Sequence, residues 1–141
     1  MRNKRQANYS YKFRLYPTNE QKLFLKKAVG CVRFVYNYML AKAKECYKES
    51  GIKWNVHDYK KQLPTLKKEY PFLAEVYSQS LQEAVFNLDR AFKNFFKKKS
   101  DFPVFKKKKN GGSFYLPQGF KIERIDKKWG LLYLPKLKKP I

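Results

Sequence analysis

Between residues 81 and 96 the apolar positions Leu81, Ala84, Val85, Leu88, Ala91, Phe92, Phe95 and Phe96 recur at steps of three and four. That period marks an amphipathic helix, and a stripe this wide suits a protein interior rather than a solvated surface. The expected helix runs from about Ser78 to Lys99, and Ser80 with Glu83 matches a capping box near its start. Asn87, Arg90, Lys93, Asn94 and Lys97 fall on the opposite side. Lys97, Lys98 and Lys99 suit the negative end of the helix dipole.

A second helical pattern lies upstream. Thr18-Asn19-Glu20-Gln21 is a capping box, with Thr18 as N-cap. Leu23 or Phe24, then Ala28 and Val29, keep helical spacing until Gly30, which marks either a kink or a break between two helices. Val32, Val35, Tyr36, Met39 and Ala43 resume the stripe, Cys46 or Tyr47 extends it, and Gly51 supplies a C-cap. Cys31 and Cys46 share this helix, roughly 22 Å apart along its axis, so reduced thiols are expected rather than a disulfide. Pro64 and Pro71 restrict the next stretch to a short helix near Val56 to Leu63 and another near Thr65 to Tyr70. Trp54 reads as a core or interface plug before a base-stacking platform.

Strand signals occupy the two ends. Tyr9 to Tyr16 alternates, with Tyr9, Tyr11, Phe13 and Leu15 on one face and Ser10, Lys12, Arg14 and Tyr16 on the other, and Pro17 ends it. Gly111-Gly112 is a turn; Ser113 to Leu116, Phe120 to Arg124 and Leu131 to Leu134 read as short strands, with a turn over Ile125 to Gly130. Short antiparallel elements need company to be stable, so the N-terminal strand is expected to pair with the late ones. The fold class is therefore α+β, one domain, a helical bundle inserted into a small antiparallel β module.

Charge decides the partner. The chain holds 33 Lys plus Arg against 11 Asp plus Glu, a net charge of +22, beyond what solubility asks of a small domain. A polyanion is the natural partner, and nucleic acid leads because lysines meeting phosphates release condensed counterions. A membrane surface fits less well, since the helices carry wide apolar faces and the lysine excess extends into loops and strands. Seven lysines between residues 97 and 109 exceed the needs of helix capping and point to phosphate contact. Apolar residues at 43% and aromatic residues at 18% argue against disorder. Most of the Phe read as core; Tyr and Trp serve either a core or base stacking. With neither a run of roughly 20 apolar residues nor a signal-peptide pattern, a cytoplasmic location is expected.

Catalytic chemistry is not legible. Metal-assisted phosphodiester cleavage needs grouped acids, and the acids here are scattered. Glu45 and Glu49 share a helix face, but Lys42, Lys44 and Lys48 beside them make ordinary helix ion pairs the better reading. His57 is the only histidine, so it completes no zinc site with the cysteines, and no glycine-rich phosphate loop is present. No metal, cofactor or catalytic residue is expected.

Three ordered motifs carry a family resemblance. Tyr11-Lys12-Phe13-Arg14-Leu15-Tyr16-Pro17-Thr18, with Gln21 and Gly30-Cys31-Val32-Arg33-Phe34-Val35-Tyr36-Asn37, resembles the opening of transposon-encoded TnpB proteins, also called OrfB. Ser78 to Ala84 with Asn87 to Phe96 is similar to a second landmark, and Phe102-Pro103-Val104-Phe105-Lys106 to a third, with Val104 where arginine is common. The resemblance covers essentially the whole chain. It implies a relative of RNA-guided DNA nucleases that ends before their catalytic carboxylates and zinc-binding cysteines. It also implies an N-terminal strand (1–17) and a basic, strand-forming region (100–141) of a wedge-like module, flanking a helical recognition-like region (18–99) of the helix-turn-helix kind. Tyr11, Lys12, Arg14 and Tyr16 would then be strand-borne contacts to RNA or duplex. Arg33, Asn37, Arg90, Lys93, Asn94 and Lys97 would line a helical phosphate-binding face, joined by Lys106, Lys107 and Lys108. The expected partner is structured transposon-derived RNA, DNA or both, with a separate nuclease domain or full-length relative as a further candidate. The alternatives are a DNA-binding regulator or accessory protein of a transposon, and a non-functional remnant or protein-interaction fragment.

Overall fold

In the computed structural model, which describes residues 10–141, the chain enters its first helix, α1 (Asn19–Ser50), through a complete capping box. Gln21 N–H donates to Thr18 Oγ1 at 3.3 Å while Thr18 N–H donates to Gln21 Oε1 at 2.8 Å. Gly51, at φ 68°, closes the helix in the left-handed conformation that glycine adopts without a Cβ penalty. Asn55 and Asp58 form a second capping box for α2 (Val56–Glu69). A short 3-10 turn, Pro71–Glu75, leads to α3 (Ser78–Phe96).

Aromatic contacts fix the directions of the three helices. Phe24 meets Tyr77 beside the start of α3 at 5.6 Å between ring centroids, and Tyr47 meets Phe96 at its end at 5.7 Å, so α1 and α3 run the same way. Between α2 and the bundle, Trp54 and Tyr59 pack near Tyr47 and Phe96, whereas Tyr70 reaches Phe34 at 4.9 Å and Lys67 donates to Ser78 Oγ; α2 therefore runs back against both. The shared core holds Val35, Met39, Leu40, Tyr59, Leu66, Leu73, Leu81, Val85 and Leu88, all buried. Each large aliphatic side chain there stabilises the fold by about 1.5–3 kcal/mol relative to exposure.

Beyond α3 the chain turns back and runs as a strap, residues 101–116, along α1 and α3, extended except for a single 3-10 turn at Lys108–Asn110. Phe102 sits on Phe92 and Phe95 at 5.5 and 5.1 Å, Lys106 lies on Asn37, and Phe114 meets Tyr77 at 5.9 Å. Ser80, buried within the first turn of α3, donates its hydroxyl to the Tyr115 carbonyl at 2.7 Å. The strap approaches α1 so closely at Gly112 that a Cβ there would fall 2.6 Å from Val29 Cγ1. A ribbon of two antiparallel strands follows, β1 (Lys121–Arg124) and β2 (Gly130–Tyr133), with Ile122 opposite Leu132. Asp126 Oδ1 accepts from the Lys128 and Trp129 N–H groups and shapes the turn between them. The tail folds onto the helices: Lys136 Nζ donates to the Ala74 and Val76 carbonyls, Tyr77 O–H donates to the Pro135 carbonyl, and Gln21 Nε2 donates to those of Lys139 and Pro140.

The caps at Thr18 and Gly51, the start of α3 and both ribbon strands match expectation to within a residue. Other elements differ. No break occurs at Gly30, because the buried residues Ala28 and Cys31 flanking it and Val35 and Met39 after it hold one continuous helix, against a cost of about 1 kcal/mol for an interior glycine relative to alanine. Pro64 likewise lies inside a single α2: Leu63 and Leu66 are buried, while Lys60, whose carbonyl loses its donor, is exposed to water. The Ser80 capping box is replaced by an uncapped start at Tyr77, and α3 ends at Phe96 rather than Lys99. Ser113 to Leu116 belongs to the strap and has no strand partner.

The N-terminal strand is not formed over Ser10–Tyr16 either, and Tyr9 lies outside the described residues. Both sets of its alternation are exposed, Tyr11 at 77% and Phe13 at 74% on one side and Tyr16 at 64% on the other. An alternating pattern becomes a strand only where it docks on a strand edge; β2 pairs with β1 on one side and Leu132 exchanges both backbone hydrogen bonds with Ile141 on the other, at 2.9 and 2.8 Å, while Ser10–Tyr16 joins neither strand. Among the described residues, no helix is long and apolar enough to cross a membrane.

Candidate nucleic-acid interface

The outward flank of α1 carries Arg33 and Asn37 one turn apart. The Asn37 amide takes up both backbone groups of Lys106: Nδ2 donates to its carbonyl at 2.9 Å, and its N–H donates to Oδ1 at 2.8 Å. This pairing imitates a β-ladder and holds the extended strap in register on the helix. Lys106 Nζ then rests 4.6 Å from the centroid of the Tyr36 ring, and Lys107, Lys108 and Lys109 follow, all exposed. Asn37 thus serves the strap directly. Beside it, Gly30, Arg33, Phe34, Asn37 and Tyr38 line an open groove of about 430 Å³.

Arg90, Lys93 and Lys97 lie elsewhere. They follow Phe86 along α3, and the Phe86 ring faces Lys60 of α2 at 4.5 Å, whereas Ser80, Phe92 and Phe95 face the strap. Arg90 and Lys97 are exposed. Lys93 ion-pairs with the buried Asp89 at 3.0 Å, and because the lysine side chain is 65% exposed the pair adds little stability. The Asn94 carbonyl accepts from Lys99 N–H just past the helix end. The helical residues expected on one face therefore fall on two flanks, Arg33 and Asn37 beside the strap and the α3 group on the side toward α2.

Tyr11, Lys12, Arg14 and Tyr16 form a third exposed group. The Arg14 guanidinium lies 5.8 Å from the Tyr16 ring, which in turn meets Trp129 at the ribbon turn, 5.7 Å away. Lys128 Nζ covers the same Trp129 ring at 5.7 Å. Sequence reasoning did not select Trp129. The usable signal was its place beside two lysines in a turn, where an indole has little core to join.

Free charge dominates all three groups. Among the described residues the ion pairs are Lys27 with Glu75 and Lys93 with Asp89, and no three His, Cys, Asp or Glu side chains approach closely enough to hold a metal ion. The ion pairs expected for Glu45 and Glu49 are not among them. Burial pushes the Tyr59 phenol well above its ordinary value, helped by Asp89 and Asp58, and raises the Cys31 thiol despite the nearby charge of Lys27.

Comparison with known proteins places the chain in a lineage. A family described as "Helix-turn-helix domain" (HTH_OrfB_IS605) matches residues 3–52. The "Putative RNA-guided DNA endonuclease InsQ" of Escherichia coli (strain K12) is 35% identical over 133 residues, covering 91% of this chain and 32% of that protein. The chain belongs to the TnpB/OrfB family. A "Putative RNA-guided DNA endonuclease" of Streptomyces pristinaespiralis is 38% identical over 106 residues, 74% of this chain and 26% of its own. This TnpB/OrfB chain thus spans about a third or less of the length of those two relatives. The shorter "Virulence protein VsdF" of Salmonella dublin is 41% identical over 105 residues, 67% of this chain and 88% of its own. In this member of the TnpB/OrfB family, residues 19–50 of the helix-turn-helix match are one unbroken helix, so the two-helix unit that places a recognition helix in a major groove is not built from those residues.

Proposed function

We propose that this TnpB/OrfB chain is a nucleic-acid-binding module that grips a structured RNA, of the guide type or a related transposon transcript, through the strap flank, without cleaving it. The observation that carries the reading is the Asn37 clamp on Lys106, which pins the first residue of the lysine run beside Arg33 on α1 and so fixes where the exposed Lys107, Lys108 and Lys109 begin. Phosphates spaced along a backbone match such a row of cations, and each contact releases counterions. Arg90 on α3 and Lys97 at its C-cap, together with the Arg14, Tyr16 and Trp129 group, supply further contacts on other sides, as a folded RNA touching several faces requires.

Duplex DNA is the second reading, favoured by the family's helix-turn-helix description. A titration against matched structured RNA and duplex DNA across salt concentrations separates the two. Tighter RNA binding with a steep salt slope, flattened by Lys106→Ala/Lys107→Ala/Lys108→Ala, is the expected result. Tighter DNA binding favours the DNA reading, and equal weak binding that ignores those substitutions overturns both.

A further inference from the structure

We infer that the open groove on α1 receives a single unpaired base of the bound nucleic acid, stacked against Phe34 and Tyr38 with its phosphate on Arg33. This rests on the nucleic-acid reading above and adds the form of the ligand and the residues that take it. The groove is open to solvent and lies along one face of α1, lined by Gly30, Arg33, Phe34, Asn37 and Tyr38, so a ligand there would be held on one side only. The groove's apolar wall is a pair of rings, Phe34 and Tyr38, stacked at 6.1 Å with 24° between their planes. Tyr70 and Phe72 meet Phe34 in T-shaped contacts at 4.9 and 5.4 Å and hold its ring in place. Its polar wall is Arg33 and the strap-bound amide of Asn37, and Lys42 Nζ stands 5.7 Å from the Tyr38 ring. Preset aromatic faces beside cations are what an unstacked nucleotide needs, whereas a paired helix presents only its backbone and groove edges.

Gly30, itself part of the groove lining, supports the same reading. It sits in the middle of α1, outside the positive-φ region, and an added Cβ would meet only Arg33 Nη2 at 3.8 Å. Neither backbone conformation nor packing calls for glycine there, and alanine would favour the helix. The missing side chain leaves the groove open, so that a flat ligand can approach the helix backbone.

The test uses RNA hairpins carrying 2-aminopurine either in a single-nucleotide bulge or within the paired stem. On binding to the full chain, the bulged base should lose fluorescence through stacking and the bulged hairpin should bind more tightly than the paired one. Gly30→Leu fills the groove with a good helix former, so it should melt no lower than the parent, yet it should abolish the quench and erase the preference for the bulge, about tenfold. Lys107→Ala/Lys108→Ala, by contrast, should weaken both hairpins together and leave the quench in place. Persistence of the quench and the bulge preference in Gly30→Leu overturns the inference, as does a parent that binds both hairpins equally well. If the parent binds neither hairpin, the nucleic-acid reading falls with it.

Discussion

On one flank of the helix trio, Lys106 is tied through both its backbone groups to Asn37, and the lysines after it extend from a strap pressed onto α1. On the other, Arg90 of α3 and Lys97 just past its end are exposed to water, and Lys93 beside them already leans on Asp89. Both flanks are basic, but only the first sets the spacing and direction of its charges with hydrogen bonds that reach 69 residues along the chain. Free side chains lose rotamer entropy when they meet a phosphate, and a pinned backbone has already lost most of its share. Charge by itself supplies affinity for any polyanion; the strap adds a shape to which a particular fold of RNA can be matched.

The largest effect should come from removing what both flanks share. Leu88→Ala opens a cavity in the core under α3 and should cost about 2–5 kcal/mol in a denaturant melt, with RNA binding by both flanks abolished together. Ser80→Ala touches only the strap side. Losing its bond to the Tyr115 carbonyl should cost about 1 kcal/mol and expose residues 101–116 to proteolysis before the helices are cut. Arg90→Ala/Lys97→Ala should leave stability within about 0.5 kcal/mol and flatten the log–log salt slope of RNA binding by about 0.7–0.9 for each phosphate no longer neutralised. The smallest effect concerns the thiols: Cys46 should be labelled by a thiol reagent near pH 8, while Cys31, buried with its pKa raised, should react only on unfolding.

What could be read from the sequence was what is local. Thr18 with Gln21, Gly51 after Ser50, and the Leu81 to Phe96 stripe each place partners within a turn or two, so residue order alone reports them. Gly30 and Pro64 misled for the opposite reason: each is a genuine local penalty, offset by burial of neighbours on helices distant in sequence. The alternation before Tyr16 described a face that could be buried, but no strand edge receives it. The strap was invisible because an extended segment has no period to detect, and its partner Asn37 reads as an ordinary polar residue on a helix surface. Thus the fold class and the basic character were legible, whereas the division of the basic residues between flanks was not.

If Asn37 acts through the strap, a double-mutant cycle on a fully paired RNA hairpin shows the coupling. Asn37→Ala alone should weaken binding several-fold by releasing the Lys106 backbone. Added to Lys106→Ala/Lys107→Ala/Lys108→Ala, it should weaken binding no further, because the charges it positions are gone. Losses that multiply instead would show Asn37 and the lysine run acting independently and would contradict the clamp as the organiser of this surface.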